Sequence, residues 1–261
     1  MSVMYRLSIG CVFRNEADSI VEWIEHYLLH GVEHFYLIDD GSDDGSCDLL
    51  LPYLKRGLIT LFKGGWGRYL GRQRAMYNEY ILPVVQRKES AWLIMCDMDE
   101  YVWSPKNVDL RKVVNEFEHI GQIQFEHTLF GSSGHEVQPA SIVGGFTRRC
   151  AQTPTNNPGN LKYIVNCEYK FNSLNIHHAT FVDKEDEDKR FLLLNNYFKM
   201  NHYSCQSLEF WNNVKCVRGD GDFWRTRTPE DFAAIDLNDT YDDGLLKQNA
   251  PVFEKLGLVV D

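Results

Sequence analysis

Ala91-Trp92-Leu93-Ile94-Met95-Cys96-Asp97-Met98-Asp99-Glu100 begins as an unbroken apolar run and ends in three carboxylates. Apolar residues without alternation are the pattern of a strand covered on both faces, as in a parallel sheet. In an open α/β sheet, ligands gather where strands end at their carboxyl edge. Two aspartates two residues apart at such an edge can both reach one hard divalent cation, magnesium or manganese. A cation held there would bridge a diphosphate and neutralise it as a leaving group. An Asp-x-Asp in isolation is common in solvated turns, so its place after this strand carries the reading.

Working outward, strands and helices alternate. Tyr5 to Phe13 is a mostly apolar strand candidate that gives way to the polar loop Arg14-Asn15-Glu16. From Ser19 to Leu29, Ile20, Trp23, Ile24, Tyr27 and Leu28 recur at helical spacing, with Asp18 or Ser19 as cap and Gly31 as terminator. His34 to Ile38 reads as a second strand ending in Asp39-Asp40-Gly41-Ser42. Asp48 to Leu54 reads as a short helix, Leu58 to Phe62 as a strand and Arg72 to Gln86 as a longer helix. This order predicts a doubly wound α/β half.

Downstream, the pattern predicts a helix over Asp109–Phe117 and strands over Gly121–Phe125, Ile142–Thr147, Lys162–Cys167 and Leu174–His178. Gln152 to Asn160 reads as a loop, Lys184 to Arg190 as a solvated charge run and Ser207 to Val217 as a helix. The final stretch carries short helices. No repeat or low-complexity linker intervenes, so we expect one domain over residues 1–220 and an extension over 221–261 packed on it.

The formal net charge of −10 disfavours a nucleic-acid partner, because an acidic surface repels phosphate backbones. Seven dispersed cysteines without a CxxC pair favour reduced thiols and a cytoplasmic setting, and argue against a structural zinc site. No stretch has the length and apolarity of a signal peptide or membrane span.

Three polar strand ends converge: Arg14-Asn15-Glu16, Asp39-Asp40-Gly41-Ser42 and Asp97-Met98-Asp99-Glu100. Asp40 is placed to accept from a base or ribose. Arg68, Arg72 and Arg74 form a basic cluster suited to clamping phosphates, or else a charged helix face. His177, His178 and His202 are candidate imidazole ligands, whereas His34, His119 and His127 read as structural. No GxSxG elbow is present, and Gly64-Gly65-Trp66-Gly67 lacks the GK[ST] of a P-loop.

Taken in order, Phe13–Glu16, Glu22-Trp23-Ile24-Glu25-His26-Tyr27, Gly31–Tyr36 and Asp39-Asp40-Gly41-Ser42-Asp43-Asp44 resemble the start of family 2-like and family 92-like glycosyltransferases. Trp92–Glu100, Phe130-Gly131-Ser132-Ser133-Gly134-His135, and His202-Tyr203 with Ser207, Glu209-Phe210, Lys215 and Arg218-Gly219 resemble their later signatures. The resemblance spans residues 5–220. It implies a GT-A fold, a Rossmann-like mixed and mainly parallel sheet flanked by helices, with a C-terminal helical extension. It further implies a nucleotide-diphosphate-sugar donor, a UDP-sugar foremost, a divalent cation (manganese or magnesium) and a glycan or glycolipid acceptor, with peripheral membrane contact where the acceptor is a lipid.

Carried over by position, Phe13, Arg14, Asn15 and Glu16 would hold the nucleoside together with Asp40. Arg68 or Arg72 would approach the diphosphate; Asp97, Met98 and Asp99 would meet the ribose and metal. His177 or His178 would complete the metal shell, and Lys215 and Arg218 would bind phosphates from the C-terminal side. The closing motif departs from the family at Gln206, where a basic residue is usual. For inverting transfer a carboxylate must take the acceptor proton; Glu126 is the candidate, with His135 and Glu100 as alternatives. Nucleotidyl transfer, or nucleotide or carbohydrate binding without turnover, are the competing readings.

Overall fold

The computed structural model describes residues 4–65, 67, 69–151, 159, 161–189, 191–218 and 227–260. Its strands are β1 (Tyr5–Phe13), β2 (His34–Asp39), β3 (Ile59–Lys63), β4 (Ser90–Met95), β5 (Glu100–Trp103), β6 (Gln122–Leu129) and β7 (Arg148–Arg149). There follow β8 (Leu161–Asn166), β9 (Phe171–Leu174), β10 (Ala179–Phe181), β11 (Phe191–Leu193), β12 (Lys199–His202) and β13 (Thr240–Tyr241). The main sheet runs β3-β2-β1-β4-β8-β6-β12-β5, with β11 also on β6.

The first four positions of that order are parallel. β8 is antiparallel to both β4 and β6, so β6 again runs with β4, and β12 runs parallel to β6. The carboxyl ends of β1, β2, β4, β6 and β12 therefore share one edge. Register aligns them closely: Phe13 faces Asp39, and Gly10 faces Met95. The chain order reverses between β1 and β4, which makes the crevice at that point the expected ligand position. The mixed, mainly parallel sheet with flanking helices is the architecture anticipated from sequence.

β4 shows why its sequence does not alternate. Trp92 and Ile94 enter one core, with Ile20, Trp23, Ile24 and Tyr27 of the helix Ile20–Leu29. Leu93 and Met95 enter the other, with Met76, Tyr77, Ile81, Val84 and Val85. Each such side chain stabilises the fold by roughly 1.5–3 kcal/mol on burial. Gly10 is fixed by this sandwich, since a Cβ there would stand 3.0 Å from Met95 Sδ and 3.2 Å from Ile81 Cγ2.

Several local expectations are corrected. Ile142–Thr147 is no strand: Ile142–Gly145 is a helical turn. Its N-terminal amides are taken by Ser141 Oγ and by the Glu22 carboxylate, which accepts from Ile142 N at 2.6 Å and Val143 N at 3.0 Å. Leu174–His178 is likewise not a strand, because Asn175 N donates to His178 O at 2.8 Å and turns the chain from β9 into β10. The charge run expected over Lys184–Arg190, for which no secondary structure was assigned from sequence, takes helical form over Lys184–Lys189. The helix expected over Arg72–Gln86 is present but carries a π turn, Tyr77–Ile81, ahead of Pro83. Pro83 has no N–H for the carbonyl one turn back, and a π turn is one way to absorb that loss.

The expected boundary at residue 220 lies outside the described residues. Beyond it, Leu245 and Phe253 join the larger core, and Asn249 Oδ1 meets His26 Nδ1 at 3.0 Å and His30 Nε2 at 3.2 Å. β13 also pairs with β7, so this part contributes a strand as well as helices. All seven cysteines are free. No helix among the described residues is long and apolar enough to cross a membrane.

Candidate active site

The two aspartates after β4 have different partners. Asp97 Oδ2 accepts from Lys162 Nζ at 2.6 Å, and Oδ1 accepts from Gln73 Nε2 at 2.6 Å and Tyr77 OH at 3.2 Å. Its backbone N donates to Glu100 Oε2 at 2.7 Å, and Lys162 Nζ lies 3.2 Å from that same oxygen. Asp99 Oδ2 accepts from Lys215 Nζ at 2.8 Å, while its Oδ1 lies 3.5 Å from His202 Nε2. Met98, between them, is buried in the core. Gln73 and Tyr77 come from the helix over one face of the sheet; Lys215 ends a second π turn, Trp211–Lys215. Each π turn thus aims a side chain at one aspartate.

Charge follows from these contacts. Burial pushes both aspartates up, but Lys162 outweighs it at Asp97, and Lys215 with His202 outweighs it at Asp99. Both stay ionised, Asp99 held well below the ordinary carboxylate range. Glu100 is pushed up to about 7 by burial, an effect that Lys162 reduces and Asp97 reinforces. Burial lowers His202, but Asp99 raises it further, so the net direction is upward. His127 is lowered to about 3 by burial and by the neighbouring His202 and Lys162. Ligand atoms of Glu100, His127 and His202 lie within 4.8 Å of one another.

Beside this cluster, the loops after β1 and β2 form one wall. Asn15, at φ +52°, takes the left-handed conformation that asparagine tolerates. Its N donates to Ser42 Oγ at 3.1 Å, and its side chain exchanges bonds with Asp43 at 2.8 and 3.0 Å. Glu16 N donates to Ser46 Oγ at 2.9 Å, and Asp40 N to Phe13 O at 2.9 Å. Arg72 pairs with Asp40 Oδ2 and donates to Gly67 O at 2.9 Å. Asp40 Oδ1 is buried with no hydrogen-bond partner among the described residues. Gly64 lines this position, since a Cβ there would stand 2.8 Å from Met76 Sδ and 3.5 Å from Asp40 Oδ1.

The loops after β1 and β2, the two aspartates and basic side chains thus meet at the sheet's switch point. The sequence matches the family model for glycosyltransferase family 92 over residues 8–232. The chain belongs to glycosyltransferase family 92.

Curated relatives include a family 92 protein of Arabidopsis thaliana, 26% identical over 228 residues, covering 82% of this chain and 37% of that protein. A family 92 protein of Oryza sativa subsp. japonica is 26% identical over 152 residues, covering 56% of this chain and 25% of that one. A third, of Ricinus communis, is 24% identical over 203 residues, covering 74% and 35%. This family 92 chain therefore spans between a quarter and well under half of these relatives' length. Among solved structures, S. aureus TarS 1–349 has 13% identity and a TM-score of 0.43, covering 74% of this chain and 60% of that one.

Of the residues singled out from the family 92 sequence, the structure brings Asp97, Asp99, His202 and Lys215 together, and joins Arg72 to Asp40. His177 sits in the β9–β10 turn with Nδ1 3.0 Å from Leu161 O, and His178 beside it is exposed. Glu126 lies near the carboxyl end of β6, on the same edge as Asp97. Its N donates to Asn195 Oδ1 at 2.9 Å, and Oε2 accepts from Asn195 Nδ2 at 2.8 Å. His135 is occupied elsewhere, with Nε2 2.9 Å from Gly145 O and its ring edge-on to Phe146. Arg68 and the Arg218 side chain lie outside the described residues. Lys162, Gln73 and Tyr77 were not among the residues singled out from sequence, and His127 was read there as structural. A lysine among Tyr163, Ile164 and Val165 was the available signal, since a buried ammonium requires a carboxylate partner.

Proposed function

We propose that this chain transfers a sugar from a nucleotide-diphosphate sugar, a UDP-sugar, to a hydroxyl of a glycan or glycolipid. The observation that supports this most is the split pairing of Asp97 with Lys162 and Asp99 with Lys215, at the strand end beside the Asp40 wall. Asp40 Oδ1, buried and unpartnered among the described residues, suits a ring N–H such as that of uracil. Phe13 to Glu16 would close over the nucleoside. Arg72, Lys215, Arg68 and Arg218 would meet the diphosphate.

Asp99 and His202 present a carboxylate oxygen and an imidazole nitrogen within 3.5 Å of each other, a donor set that suits manganese better than magnesium. Asp97 would join them from the far side of Met98, with His177 or His178 as further ligands. Such a cation, when bound, would offset charge on the departing nucleoside diphosphate. Glu126 would take the acceptor hydroxyl proton as that oxygen bonds the anomeric carbon and the sugar–phosphate bond breaks, inverting the centre.

For the acceptor, we assign a cavity of about 440 Å³ bordered by Asp18, Gln138, Pro139, Glu209, Phe210 and Asn213. Lys215 Nζ, which bonds Asp99, stands 6.0 Å from the Phe210 ring, so this cavity lies on the Asp99 side of the site. Carboxylates, amides and one aromatic ring among the lining residues suit a polyhydroxylated ligand.

The test is a manganese-supplemented thermal-shift screen of UDP-, GDP- and dTDP-sugars, repeated with Asp99→Ala. Stabilisation by a UDP-sugar that needs the metal and disappears in the variant is the expected result. A folded sample that responds to no nucleotide would sink the donor assignment. Following donor hydrolysis over time then separates turnover from mere binding.

A further inference from the structure

His127 and His202 stand on neighbouring parallel strands, where Met200 faces His127 and His202 faces Leu129, so both rings leave the same face of the sheet. Their centroids are 4.9 Å apart and their Nδ1 atoms 3.3 Å apart. The remaining nitrogens have unlike surroundings. His202 Nε2 faces Asp99, whereas His127 Nε2 is buried without a partner among the described residues.

Two imidazoles meeting nitrogen to nitrogen can bond only if one brings a hydrogen and the other a lone pair. A neutral imidazole has a single N–H, so a His202 that offers its Nε2 lone pair to a cation must carry its hydrogen on Nδ1. That hydrogen points at His127 Nδ1. The Glu100 carboxylate, though opposite His202 in the sheet register, is turned to Asp97 N and Lys162.

We propose that His127 is a positioning residue: by accepting from His202 Nδ1–H, it fixes the tautomer and ring orientation in which His202 Nε2 serves a cation beside Asp99. The inference rests on the metal-dependent reading proposed above. A partner of this kind behind a metal-binding histidine is worth about 10–100-fold in metal affinity.

The experiment titrates manganese into the wild-type protein, His127→Ala and His127→Asn by calorimetry, with melting curves to establish folding. Asparagine can place an acceptor oxygen near the lost Nδ1, whereas alanine cannot. We expect alanine to weaken manganese binding about 10–100-fold and asparagine to restore most of it. Equal binding by wild type and folded His127→Ala would overturn the proposal. So would an asparagine variant as weak as alanine, the result for a histidine that binds metal directly. Nitrogen-15 NMR of the zinc-loaded wild type reads the tautomers without mutation: hydrogen on His202 Nδ1 and His127 Nε2 supports the assignment, and the reverse on His202 overturns it. A wild type that binds no metal fails the underlying reading itself.

Discussion

Lys162 lies between Leu161 and Tyr163 on β8 and is 2% exposed, yet it carries a full charge. Burial would lower its basicity, but Asp97 and Glu100 raise it above the ordinary lysine value. Its aspartate partner was legible because a carboxylate after an apolar strand has few structural explanations. Lys162 was not, because its partner is 65 residues away and nothing local marks the pair. Removing the ammonium leaves the buried Glu100 and the half-buried Asp97 side by side without their shared cation. Lys162→Ala should therefore cost about 3–5 kcal/mol, read as a lower urea midpoint at neutral pH. An unchanged midpoint would mean that water already screens this site. Glu126 is predicted through chemistry instead. Glu126→Gln should keep nucleotide-dependent thermal stabilisation while lowering turnover at least 100-fold, in line with loss of a general base.

At the scale of elements, periodicity exposed what depends on local sequence. β1, β2 and β4, and the helices on them, follow from apolar runs and 3.6-residue spacing within each segment. The turn Ile142–Gly145 does not. Its apolar Ile142 and Val143 read equally well as strand, and what decides for helix is Glu22, 120 residues earlier. Glu22 is 4% exposed and spends both oxygens on Ser141, Ile142 and Val143. Burial raises its carboxyl, while those same bonds pull it back down. Replacing it strips charge-assisted bonds from buried amides, so Glu22→Ala should destabilise the protein by roughly 1.5–3 kcal/mol in urea. Because this turn supports the 138–140 loop of the assigned acceptor cavity, the variant should also raise the acceptor KM more than the donor KM. Equal changes in both would detach the turn from the acceptor side.

Across the whole molecule, the sequence announces the parallel half but not the return through β8, which sets β6 and β12 beside β4 and brings His202 to Asp99. That placement depends on pairing between distant strands, and no spacing records it. The same holds for the C-terminal helices, joined to helix Ile20–Leu29 through His26, His30 and Asn249. Burial keeps both histidines uncharged, His26 well below its ordinary value and His30 down at about 4. A histidine whose pKa is depressed on folding binds its proton more readily in the unfolded chain. Its contribution is complete above the unfolded value of about 6.5 and is lost as pH falls toward the folded value. For His30 that window is 6.5 down to about 4, with a slope of about 1.4 kcal/mol per pH unit. Glu100, raised to about 7, opposes it over part of the range, whereas the depressed Asp97 and Asp99 act only at lower pH. Comparing His30→Asn with wild type cancels these shared contributions. Urea unfolding between pH 7.5 and 4.5 should show wild type losing stability faster than the variant as the pH falls. Parallel curves would mean that water reaches His30 and that the C-terminal helices do not seal it.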